Sequence, residues 1–144
     1  MPRPHQSVMV IDDEIELGEL YSRFLELSGF NCVYFTEPDE ALNEFVRNID
    51  NYSLIITDFK MPSIDGLEFT RRIRQYNKTI KVVLVTAFLT DENLEHAEIK
   101  ESGIDTVIEK PFRLKDLEPI IKEISFTQNL LMVQYICKNF FPLR

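Results

Sequence analysis

Leu54-Ile55-Ile56-Thr57-Asp58-Phe59-Lys60-Met61-Pro62 decides how this chain reads. Three apolar residues and a threonine lead to one carboxylate, and Pro62 with Asp65-Gly66 then ends the strand. A run that is apolar without alternation suits a parallel strand buried on both faces. Open α/β sheets place their chemistry at the carboxyl ends of such strands. Asp58 is therefore expected to be chemically modified rather than a mere turn former.

The same grammar recurs on either side. Ser7 to Ile11 reads as a first strand ending in Asp12-Asp13. Leu17, Leu20, Tyr21, Phe24 and Leu27 follow at helical spacing, Gly29 supplies the stop, and Asp13 with Glu16 has the look of a capping pair. Asn31 to Phe35 is a second strand, and Pro38, Ala41, Leu42, Phe45, Val46 and Ile49 mark a helix with Pro38 in its first turn. Asp65 is the expected N-cap of a helix running to about Tyr76. Lys81 to Ala87 is a β-branched fourth strand. Thr90 to Ser102 should be helical with a thin apolar face, Leu94 and Ala97. Thr106 to Glu109 is a fifth strand, stopped by Lys110-Pro111, and Leu114, Leu117, Ile120, Ile121 and Ile124 mark a fifth helix. Five alternations of strand and helix predict an α/β fold: one doubly wound domain around a five-stranded parallel sheet, residues 7–125.

Residues 126–144 differ in character, with no Asp or Glu and only Lys138 and Arg144 charged. Phe126, Leu130, Val133, Cys137 and Phe140 alternate at spacings of four and three, a helical seam. This C-terminal tail reads equally as a sixth helix folding back or as a dimerisation or partner-binding segment.

A net charge of −8 argues against a nucleic-acid surface, which needs a basic patch. No apolar stretch is long enough to span a membrane, and the N-terminal residues lack the apolar core of a signal peptide. Two cysteines, Cys32 and Cys137, are too few for a disulfide framework and fit a cytoplasmic location.

Parallel topology gathers Asp12, Asp13, Asp58, Thr86 and Lys110 along one sheet edge. Crowded carboxylates repel, so a cation is needed to keep all three ionised, and oxygen-only ligands select a hard ion such as Mg²⁺. Lys110 offers a point charge for a phosphate oxygen and Thr86 a hydroxyl donor. Those are the parts of a phosphoryl-transfer site. Singly, each residue has a plainer explanation: Asp12 and Asp13 as helix caps, Asp58 as a turn opener, Lys110 as a surface lysine. Their joint occurrence shifts the balance.

This ordered set resembles the receiver domain of two-component response regulators. Asp12-Asp13, Asp58, Met61-Pro62 with Asp65-Gly66, Thr86-Ala87 and Lys110-Pro111-Phe112 carry the resemblance, which covers about residues 7 to 125. It implies a flavodoxin-like strand order 2-1-3-4-5. It also implies that Asp58 accepts a phosphoryl group from a sensor histidine kinase, a phosphotransfer protein or a small phosphodonor. Asp12, Asp13, Asp58 and the Lys60 backbone carbonyl would hold Mg²⁺. Lys110 would pair with a phosphoryl oxygen, Thr86 would swing inward to it, small Ala87 would leave room, and the bond before Pro111 would be cis. Such a module is a phosphoacceptor that assists its own phosphorylation and dephosphorylation rather than an enzyme. Its output would be contact with a downstream protein target, or a homodimer through the 90–125 face or the tail.

The chain departs from the family pattern in two respects. Val107 stands where an aromatic switch residue is usual, which shifts the expected output to movement of the Thr90–Ser102 helix. Bulky Lys60 and Phe88 flank the route of attacking water and imply a slowly hydrolysed phosphoaspartate. Competing readings are a Mg²⁺-dependent aspartyl-phosphate hydrolase, a flavin- or nucleotide-binding module and an unphosphorylated pseudo-receiver scaffold. Adjacent rather than alternate acids disfavour the first, and the lack of a glycine-rich loop after strand one disfavours the second.

Overall fold

The structure, a computed structural model, describes residues 7–87, 95–110, 113–125 and 138. Five strands, β1 (Ser7–Ile11), β2 (Asn31–Phe35), β3 (Tyr52–Asp58), β4 (Lys81–Thr86) and β5 (Thr106–Glu109), form one sheet in the order β2-β1-β3-β4-β5. All four pairings are parallel. The order is the one that the resemblance implies. The helices are α1 (Ile15–Leu27), α2 (Pro38–Arg47), α3 (Gly66–Tyr76) and α4 (His96–Ser102). The chain divides into two compact units, Met1–Phe112 and Arg113–Arg144.

Register places the acids. Ile11 pairs with Thr57 and Asp58 with Val85, so the first residue past β1 lies level with the last residue of β3. The ladders run one step beyond the strands. Asp12 N–H donates to Phe35 O at 3.0 Å, Phe59 N–H to Val85 O at 3.2 Å and Lys110 N–H to Thr86 O at 2.8 Å. The chain at Asp12, Phe59 and Lys110 therefore leaves the sheet in a direction fixed by backbone hydrogen bonds.

Side chains alternate across the sheet and sort its two faces. Met9, Ile11, Ile55 and Val82 pack with Ala41 and Phe45 of α2 and Phe69 and Ile73 of α3. On the same side Leu84 meets Leu67 of α3 and Ile99 of α4. Val33 and Phe35 join that first cluster, so Tyr34 between them faces the other way, against Gly18 of α1. Helices thus cover both faces, as continuous apolar strands require.

Several local expectations are corrected. α1 has no Asp13 cap: its N-cap residue is Glu14, without a side-chain cap, while Asp12 Oδ1 accepts the Glu14 N–H. The buried face of α1 is Gly18, Tyr21 and Leu25, whereas Leu20 and Leu27 are exposed at 52% and 85%. Of the expected stripe, Tyr21 is buried and Leu17 and Phe24 are half-buried, so the spacing found part of the face but missed Gly18, which has no side chain to mark it, and Leu25. In α4, Ala97 is exposed and Ile99 and Ser102 are buried, while the expected turn from Thr90 and its Leu94 contact lie outside the described residues. Asp65 caps α3 as expected, accepting Glu68 N–H at 2.8 Å.

In the second unit, Leu114–Leu117 is a 3₁₀ turn, and residues 118–125 are helical with Ile120, Ile121 and Ile124 buried. The fifth helix therefore opens as a tighter turn than the sequence suggests. The tail seam of residues 126–144 lies outside the described residues, Lys138 apart.

Candidate functional site

The strand ends bring the acids together as expected. One carboxylate oxygen from each of Asp12, Asp13 and Asp58 lies within 4.8 Å of the others. Asp12 and Asp58 are buried, at 2% and 9% exposure, while Asp13 is exposed. Lys110 Nζ reaches in from the end of β5, 3.2 Å from Asp58 Oδ2 and 3.7 Å from Asp12 Oδ2. The remaining oxygens take backbone amides: Glu14 N–H donates to Asp12 Oδ1 at 2.9 Å and Phe59 N–H to Asp58 Oδ1 at 2.8 Å. Each buried carboxylate is thus steered by one amide and one ammonium.

Burial dominates the electrostatics. It pushes the Asp12 carboxyl up to about 6, against the opposing Glu14 amide and Lys110 charge. Asp58 is raised too, by burial, with Lys110 pulling the other way. Burial would lower Lys110, but the charges of Asp12 and Asp58 outweigh it and raise its pKa. Among the described residues, Lys110 contacts both buried acids while the third stands at the rim, so three crowded carboxylates favour a further cation. That oxygen-only set fits a hard divalent cation such as Mg²⁺.

Thr86 ends β4 fully buried, and Ala87 beside it is exposed. The Lys60 residue is exposed on the loop after β3. Val107 packs with Leu67, Leu84 and Ile99, an apolar contact in place of an aromatic side chain. Pro111, with its expected cis bond, and Phe88 lie outside the described residues.

Sequence reasoning missed two supporting residues, Tyr34 and Gly18, and named Gly66 without the contact it makes. The Tyr34 hydroxyl donates to the carbonyls of Asp12 and, at 2.9 Å, of Glu14. Burial, then the nearby Asp12, Asp13 and Glu14 charges, push that phenol up to about 12, so it stays a donor. Gly18 makes room for its ring, since a Cβ there would lie 2.5 Å from Tyr34 Cε2. Gly66 lies so close to the end of β3 that a Cβ would collide with the Asp58 carbonyl oxygen. A glycine inside a helical pattern was the available signal for Gly18.

The response regulator receiver domain family matches residues 8–122. The chain belongs to that family. This receiver is 33% identical over 117 residues to a transcriptional regulatory protein CpxR homolog of Haemophilus influenzae, covering 81% of the chain and 49% of that relative. The chain spans about half the length, or less, of the curated relatives it matches. Response regulator TrrA of Thermotoga maritima, solved with Mg²⁺-BeF, is 29% identical with a TM-score of 0.71, covering 83% of this receiver and 98% of that chain. TrrA in complex with histidine kinase ThkA matches at 29% identity and a TM-score of 0.70, covering 83% and 97%. Among the described residues, no helix is long and apolar enough to cross a membrane.

Proposed function

We propose that this receiver takes a phosphoryl group onto Asp58 from the phosphohistidine of a sensor histidine kinase or a phosphotransfer protein. The observation that carries the reading is the juxtaposition of three carboxylates within 4.8 Å with Lys110 Nζ 3.2 Å from Asp58. A carboxylate oxygen of Asp58 attacks phosphorus, the P–N bond breaks, and the imidazole leaves with the bonding pair and takes up a proton. Asp58 is oriented for this by the Phe59 amide on Oδ1. Lys110 transfers its contact from Asp58 Oδ2 to an arriving phosphoryl oxygen, and the Thr86 hydroxyl donates to another. Asp12, Asp13, Asp58 and the Lys60 carbonyl would hold Mg²⁺. When bound, that ion supplies the positive charge that lets the acids and phosphoryl oxygens share one site. The receiver acts as the phosphoacceptor, and its substrate is the donor's phosphoryl group.

TrrA's complexes with Mg²⁺-BeF and with a histidine kinase support both the metal and the donor class. Output is by contact with a downstream protein. α4 is the candidate mover, because Ile99 and Ser102 are the buried residues of its seven. Incubation with acetyl phosphate and Mg²⁺ tests the reading. Wild type should gain one phosphoryl mass and Asp58→Asn none. Unchanged wild-type mass with acetyl phosphate and with a phosphorylated histidine kinase would instead make this a pseudo-receiver scaffold.

A further inference from the structure

The loop that delivers Asp12 and Asp13 is fastened from an unexpected quarter. β1 ends at Ile11 and α1 begins at Ile15, so three residues turn the chain and present both acids. Glu14, the N-cap residue of α1, gives no side-chain cap. The Glu14 carbonyl instead accepts Gly18 N–H at 3.1 Å and the Tyr34 hydroxyl at 2.9 Å. The same hydroxyl lies against the Asp12 carbonyl, sharing its one proton between the two oxygens, so one phenol spans both ends of the turn. Tyr34 reaches it from the neighbouring strand, where Val10 pairs with Tyr34. Its ring lies flat enough on α1 that residue 18 has room only for a hydrogen: a Cβ would meet Cε2 and Cζ at 2.5 Å.

We propose that Tyr34 is a positioning residue for the cation site, with Gly18 as the opening that admits it. The phenol acts through backbone carbonyls rather than by touching the ion. With Asp12 N–H bonded to Phe35 O, it fixes both polar groups of the Asp12 backbone and hence the aim of the Asp12 and Asp13 carboxylates. The inference rests on the Mg²⁺ reading above and deepens it.

Calorimetric titration of Mg²⁺ into wild type, Tyr34→Phe and Tyr52→Phe tests it. Tyr52 is the control: the residue is buried and its hydroxyl donates to Glu44 Oε1 at 3.1 Å, away from Asp12, Asp13 and Asp58. Groups that orient metal ligands typically change affinity by 10- to 100-fold, and a tie to a ligand's carbonyl belongs near the bottom of that range. Tyr34→Phe should therefore bind Mg²⁺ about tenfold more weakly and Tyr52→Phe as wild type does, with amide shifts of Asp13 and Glu14 moving only in Tyr34→Phe. Equal affinity in wild type and Tyr34→Phe overturns the role, as does an equal loss in both variants. Failure of Tyr34→Phe to fold while Tyr52→Phe folds also overturns it, because the hydroxyl would then support the fold. No Mg²⁺ binding by wild type would defeat the Mg²⁺ reading itself, a distinguishable result.

Discussion

Asp12 is where assembling the site opposes folding. In the unfolded chain it titrates near the ordinary 3.8, and in the folded receiver near 6. The folded state holds the extra proton between those values, so its contribution to stability is complete below the lower one. That contribution is lost as pH rises through about 6, a decline of about 3 kcal/mol for this one buried group. Asp58, raised in the same direction, adds to the slope. Urea midpoints measured without metal should therefore fall between about pH 4 and about pH 7. Mg²⁺ should restore stability at the higher pH by binding the folded state alone. Asp12→Asn, which keeps an acceptor for Glu14 N–H, should flatten the slope, raise metal-free stability at neutral pH and abolish Mg²⁺ stabilisation. A midpoint that rose with pH in the metal-free wild type would contradict this account.

Elements position what the residues do. α3 starts so close to β3 that Gly66 N–H donates to Phe59 O at 2.7 Å, and an added methyl would also meet Leu84 Cδ1 at 2.8 Å. Backbone cannot yield as a side-chain tip can, so Gly66→Ala should destabilise by about 1–3 kcal/mol, the ordinary range for overpacking. It should also slow phosphorylation by acetyl phosphate, because the displaced atom is Asp58's own carbonyl. A stability loss with an unchanged phosphorylation rate would separate the two effects and refute the second. α4 is held differently. Arg74 donates to Gly103 O at 2.7 Å and Ile80 O at 2.6 Å and pairs with Asp105, fastening its C-terminal end. Hydrogen exchange should find α4 less protected than α3, whose buried residues are Gly66, Leu67, Phe69, Thr70 and Ile73, and beryllofluoride should change protection in α4. Equal protection with and without beryllofluoride would exclude α4 as the mover.

At the scale of the molecule, the sheet was legible because Leu54–Ile56, Val8–Ile11 and Val82–Val85 are apolar without interruption, which only a doubly covered strand tolerates. The acids and Lys110 were legible because parallel strands put every carboxyl end on one edge. What escaped was whatever depends on a residue's absence of bulk or on a contact across strands. Gly18 escaped the apolar stripe read for α1, and Tyr34 gave no local sign that its hydroxyl would meet the Asp12 carbonyl 22 residues away. Ile99 shows the same limit, since sequence alone does not say which residues of a short polar helix turn inward. The assembled edge makes one central claim, that Asp58 is the phosphoacceptor among three clustered acids. Borohydride reduces an aspartyl phosphate to homoserine, so trapping after phosphotransfer, followed by peptide mass mapping, reads the modified position directly. Homoserine at position 58 alone is the expected result, and homoserine at position 12 or 13, with Asp58 intact, would contradict the account.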